Sequence, residues 1–238
     1  MEAKLFYRIT GIFFIAVAAL VMLSQVLLNV IFQYHDTLKL PVGEILVKYH
    51  HCGGSLALSW FCFAFGCLMM IPLAMMIHKI VNIKKTPFLI IGSVFGGLAG
   101  VFYVIGISRW LLLATVLSSQ YADPNVSATA KESLEIIFKA FDLYAGNGFG
   151  ETFAPISHAI WLVILGVSML KSNIFPKWMA YIQVVFGMVI SMRPLEYLGL
   201  NQLGEFSDIG VMLWTISLFV MGVQLIRAKA DEGFIIQG

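Results

Sequence analysis

Arg109, Glu151, His158, Arg193 and Glu196 are ionisable residues set inside or at the ends of long apolar runs. A charge in hydrocarbon costs several kcal/mol unless it faces a protein interior or a wet cavity, so each marks a candidate site. Two guanidinium groups can hold an anionic group through paired hydrogen bonds. Two carboxylates can neutralise those guanidinium groups, and a carboxylate with an imidazole can move protons. The five together predict a polar ligand pocket, with His158 and Glu151 as acid and base candidates should the protein be an enzyme.

The elements that must carry these residues are transmembrane helices. Hydrophobic residues make up 60% of the 238 and charged residues only 12%, with a mean hydropathy of +0.90. A soluble domain carries about 25% charged residues. Six apolar runs, about 7–32, 55–80, 88–117, 153–170, 178–200 and 209–226, are each long enough to span a bilayer at about 20 residues per crossing. The fold class expected is all-α, a polytopic six-transmembrane-helix bundle forming one integral membrane domain over 1–238. The first run is too long, and lacks a small-residue cleavage site, for a removed signal peptide.

Basic residues fix an expected orientation. Lys4 and Arg8 precede the first run, Lys79, Lys84 and Lys85 follow the second, Lys171 and Lys177 follow the fourth, and Arg227 and Lys229 follow the sixth. With six spans all of them fall on one side, which puts both termini in the cytoplasm of a cell whose inner, or plasma, membrane holds the protein. The longer loops, 33–54 and 118–152, then face outward. Within the second, Leu134, Ile137, Phe138, Phe141 and Tyr144 recur at helical spacing and predict an amphipathic outer-face helix over about 128–145. Ser127 is its expected N-cap and Gly146-Asn147-Gly148 its expected stop. Gly92, Gly96 and Gly100 form a small-residue stripe suited to close helix packing.

At about 1.5 Å per residue, Arg109 lies roughly 30 Å beyond Phe88, and His158 roughly 10 Å deeper than Glu151. Arg193 and Glu196 come roughly 22 to 27 Å after Trp178. All five reach the outer third of the membrane. Arg109 or Arg193 is expected to pair with Glu151 or Glu196, and Arg193 and Glu196 are three apart on one helix. The bland alternative is that the charges only neutralise one another and that His158 is a satisfied core residue.

Other chemistries find little support. Cys52, Cys62 and Cys67 form no metal-pair spacing and no disulfide framework. His35, His50, His51 and Cys52 share an outer loop as weak metal-ligand candidates, and no metal site is assigned. His78 lies too far toward the cytoplasmic end to share a haem with His158. The basic residues form no stripe, which excludes nucleic acid as a partner. No phosphate-binding loop, nucleophile elbow or zinc-protease motif is present. No cofactor is named by the residues.

Ser108-Arg109-Trp110, Gly148-Phe149-Gly150-Glu151, Trp161 with Leu165-Gly166, and Ser172-Asn173-Ile174-Phe175-Pro176-Lys177-Trp178 together resemble the bacterial six-helix membrane proteins grouped as domain of unknown function 4386. That resemblance implies a fold and a bacterial membrane location, and it carries over no catalytic residue. The function expected is binding of a small amphiphilic or lipid-like anionic ligand in the outer half of the bundle. The alternatives are a membrane-embedded enzyme using His158 or Glu151 and an assembly or immunity protein acting through its outer loops. Membrane lipid is the expected partner, and self-association is left open.

Overall fold

The computed structural model describes residues 3–81, 86–200 and 202–228. Lys84, Lys85 and Lys229, which contribute to the orientation, lie outside the described residues, as does the side chain of His35. All regular structure among the described residues is helical. Six stretches are long and apolar enough to cross a membrane: Ala3–Phe32, Val42–Val81, Leu89–Tyr121, Ala128–Met169, Lys177–Leu198 and Gln202–Arg227.

In chain order the α-helices are α1 (Ala3–Phe32), α2 (Tyr34–Thr37), α3 (Val42–Leu68), α4 (Met70–Val81), α5 (Leu89–Ser108), α6 (Thr115–Tyr121), α7 (Ala128–Phe141), α8 (Ala154–Met169), α9 (Lys177–Ile190) and α10 (Gln202–Arg227). Two π-helical segments, Arg109–Ala114 and Asp142–Phe153, come after α5 and α7, and a 3-10 helix, Arg193–Leu198, comes after α9. The second span breaks at Met69, three residues before Pro72, whose ring cannot sit in the interior of a continuous helix without costing a hydrogen bond.

Three features depart from the sequence expectation. The segment 33–54 is mostly helix instead of loop: α2 and the first part of α3 occupy it. Gly53 then breaks α3 with φ 60 and ψ −148, a backbone region that glycine alone enters freely. Gly146-Asn147-Gly148 does not stop a helix, because the chain stays wound through Phe153. This stretch instead leads into a close approach: a Cβ at Gly106 would stand 2.6 Å from Gly150 Cα, and one at Gly150 would stand 3.1 Å from Gly106 Cα. Finally, the fifth span leaves α geometry at Ile190, and Pro194 sits in the first turn of the 3-10 helix, where its missing N–H is harmless.

The chain divides into two compact units. One comprises Leu20–Leu68 and Val101–Phe153. Its core is aromatic: Trp60 and Trp110 stack at 5.3 Å with 4° between their planes. Phe32 and Phe138 meet Trp110 edge-on at 5.6 and 5.4 Å. Pairs of this kind contribute about 0.5–1.5 kcal/mol each beyond simple burial.

The other unit comprises Met1–Ala19, Met69–Gly100 and Ala154–Gly238. Glycines set its helix crossings, since with no Cβ two backbones can touch. A Cβ at Gly166 of α8 would stand 2.7 Å from the Ala180 carbonyl oxygen of α9, and one at Gly187 of α9 would stand 2.9 Å from the Ala159 carbonyl of α8. Gly11 of α1 and Gly222 of α10 face each other in the same way. Gly92 and Gly96 pack on Ile164 and Trp161 of α8, so that stripe is used within the chain.

Candidate functional site

Arg109 is the most enclosed charge in the described chain. Its side chain is 5% exposed where α5 widens into the first π segment. Its Nε stands 2.7 Å from Asp142 Oδ1, an ion pair by distance whose N–H does not point along the contact. Nη2 is 4.0 Å from Glu151 Oε1. Nη1 donates to the Gly106 carbonyl at 2.9 Å, and the guanidinium lies 5.5 Å from the Trp110 ring centre. Both carboxylates come from the second π segment, which carries Asp142 at its start and Glu151 near its end. Gly146 lies between them in sequence, and a Cβ there would overlap the guanidinium. Two half-buried carboxylates against one guanidinium give the cluster a formal charge of −1.

The widened turns have side-chain support. Tyr49 from α3 donates its hydroxyl to the Trp110 carbonyl at 2.6 Å and stands 3.2 Å from Thr115 Oγ1. Thr152 Oγ1 donates to the Asn147 carbonyl at 2.8 Å. Long π-helix is rare, and short π stretches gather at functional sites.

Arg193 has its own partners in the other unit. Its Nη1 donates to Asp208 Oδ2 at 3.0 Å and lies 3.6 Å from Glu196 Oε2. The Arg109–Glu151 and Arg193–Glu196 pairings expected from sequence are both present, and each is the longer contact beside a closer aspartate. Neither Asp142 nor Asp208 stands out in the sequence. Asp142 sits on the amphipathic wheel among solvent-facing charges, and Asp208 lies one residue outside the apolar run at 209–226.

His158 is fully buried in α8. Its ring meets Trp214 edge-on at 4.1 Å and lies 5.8 Å from Trp161 in a near-parallel arrangement. Glu151 lies in the second π segment, which is wound more widely than the 3.6 residues per turn that the expected ladder from Glu151 to His158 assumes. Arg109 and Glu151 belong to one unit, and His158, Arg193 and Glu196 to the other.

An open groove of about 710 Å³ lies beside α3, lined by Leu40, Pro41, Gly43, Glu44, Val47, Lys48, His51, Cys52, Tyr121 and Glu135. Lys48 Nζ donates to Thr37 Oγ1 at 2.8 Å and to Gln33 Oε1 at 3.0 Å, both uncharged acceptors. No carboxylate lies within 4.0 Å of it among the described residues. Glu135 accepts from the Tyr121 hydroxyl at 2.7 Å. His50, His51 and Cys52 lie on α3, and no group of three or more His, Cys, Asp or Glu among the described residues is placed to hold a metal. Sequence reasoning misses Lys48, whose only signal there is a lysine flanked by apolar residues, four residues after Glu44.

Six helical stretches fit to cross a bilayer, a buried arginine held by two carboxylates and glycine-set helix contacts define a multi-pass α-helical membrane protein. Its broad fold is the one the sequence resemblance implied. The family model described as Domain of unknown function (DUF4386) matches residues 9–228, and the chain belongs to that family. Searches of curated proteins and of solved structures found no match.

Proposed function

We propose that this chain is a bacterial inner-membrane protein, with cytoplasmic termini, that binds a small anionic amphiphile through the groove beside α3. The supporting observation is the state of its cations. Arg109 and Arg193 are each within 4.0 Å of two carboxylates, so a ligand anion would have to displace Asp142 or Asp208. Lys48 donates only to two neutral acceptors, in a groove that Glu44 and Glu135 also line, and an ammonium has three donors, of which two are used. An anionic headgroup would take the third, and Leu40, Pro41 and Val47 would cover the apolar body. The orientation rests on Lys4, Arg8, Lys79, Lys84, Lys85, Lys171, Lys177, Arg227 and Lys229, which fall on one side of six spans.

In this reading Arg109 and Glu151 hold the unit that carries the groove, Arg193 and Glu196 hold the other unit, and His158 is part of the α8 core. Acid–base catalysis by His158 would require the enclosure of Trp161 and Trp214 to open. The reading is tested by native mass spectrometry of protein extracted in mild detergent. Wild type should retain an anionic lipid or amphiphile, and Lys48→Gln should release it while melting at the same temperature. An empty wild type, or a Lys48→Gln variant that retains the species equally, refutes it.

A further inference from the structure

The protein covers only one edge of the apolar face of α7. Phe138 is 2% exposed and packs into the aromatic core, whereas Ile137, Phe141 and, just beyond the helix, Tyr144 are 42, 51 and 68% exposed. Glu132 and Lys139, seven residues apart and so on one side, stand roughly opposite Ile137 at 100° per residue. Ile136, also exposed, extends the apolar surface toward that charged edge. An apolar face bounded by charge is the pattern of a helix lying in a membrane surface.

This face is not an isolated patch. The Tyr144 ring touches Phe149 at 5.4 Å, and Phe149 touches Phe102 at 5.7 Å. Phe102 belongs to the membrane-spanning α5, beside Val101, which is itself exposed. An apolar surface thus runs from the lipid-facing side of a span, through three aromatic rings, onto α7. Tyrosine and other amphipathic rings concentrate at the headgroup level. We infer that α7 is embedded in the membrane interface, with Ile137 and Phe141 among acyl chains and Tyr144 at the headgroups. Its exposed face takes lipid, and the helix is neither a lid moving in water nor a seat for a second copy of the chain.

The test is spin labelling of full-length protein in vesicles of phosphatidylethanolamine and phosphatidylglycerol. Ile137→Cys, Phe141→Cys and, as a polar reference, Glu132→Cys are made after replacing Cys52, Cys62 and Cys67 by Ser or Ala. Labels at 137 and 141 should collide with oxygen several-fold more often than with a water-soluble nickel chelate, and the label at 132 should show the reverse. Frequent nickel collisions at 137 and 141 would place the face in water and overturn the inference. Few collisions with either reagent would place a protein surface over it and overturn the inference as well. If the cysteine-free background does not fold, Tyr144→Trp in the native background serves instead. Brominated lipid should then quench its added fluorescence, and unquenched added fluorescence refutes the assignment.

Discussion

Asp142→Asn tests whether Arg109 is held by the partner that the geometry names. At an effective dielectric of about 20, a unit charge at 2.7 Å attracts Arg109 by about 6 kcal/mol and one at 4.0 Å by about 4 kcal/mol. Desolvation offsets most of this, and breaking a buried pair by removing one partner costs about 3–5 kcal/mol in practice. Glu151 stays behind in the single variant, so about 2 kcal/mol is expected for Asp142→Asn and less for Glu151→Gln. With both carboxylates neutralised the guanidinium is buried without a counter-charge, and the loss should reach about 4 kcal/mol, more than the two single losses added. For a chain of this size 1 kcal/mol moves Tm by about 2–4 °C, which gives about 4–8 °C for the single and about 8–16 °C for the double variant. The assay is dodecyl sulfate titration and thermal melting in mild detergent, monitored by tryptophan fluorescence. Adding Arg109→Met to the double variant should recover much of the loss, because no buried charge is then left. An Asp142→Asn variant no less stable than the surface control Glu132→Gln refutes the assignment.

The same melting assay tests three further expectations. Gly146→Ala should cost about 1–3 kcal/mol because its methyl overlaps the Arg109 guanidinium, while Gly148→Ala, whose methyl would come no closer than 3.8 Å to the Leu143 carbonyl, should stay within about 0.5 kcal/mol. Tyr49→Phe should lose about 1–2 kcal/mol by removing the donor to the Trp110 carbonyl, and an unchanged melt would show that this hydroxyl does not support the π turn. His158→Ala should cost about 3 kcal/mol through the cavity left against Trp214, and His158→Phe clearly less. Equal losses would mean that the imidazole nitrogens matter more than the ring's shape.

Hydropathy makes the spans legible because bilayer thickness sets their length, whatever they later pack against. Arg109 and Arg193 are legible for a similar reason: a guanidinium in an apolar run demands a partner. Which partner it finds depends on tertiary winding. Glu151 and Glu196 stand out because they lie near apolar runs, yet Asp142 and Asp208, from segments that read as solvated, come closer. The glycines at 146 and 148 read as a stop because isolated glycine weakens an α-helix. The cue that they lie on a packed stretch is weaker: Gly146 and Gly150 are four apart, and while Gly146 meets the Arg109 side chain, Gly150 meets Gly106, three residues before that arginine. Lys48 is invisible as a candidate because 33–54 reads as loop, and that its hydrogen bonds go to Thr37 and Gln33 instead of to the carboxylates lining the same groove is a fact of three dimensions.

The twelve-residue π segment from Asp142 to Phe153 also acts as a rotational setting. Asp142 and Glu151 approach one guanidinium from near its two ends. Each residue inserted into or deleted from a helix turns the portions on either side against each other by about 100° in α geometry, and by somewhat less where the winding is wider. The number of residues between the two carboxylates therefore decides whether both can aim at Arg109, whatever side chains lie in between. A single deletion between Gly146 and Gly150 would leave composition and hydropathy almost unchanged and still swing one carboxylate off its target. In this chain, length at that point carries as much structural information as residue identity.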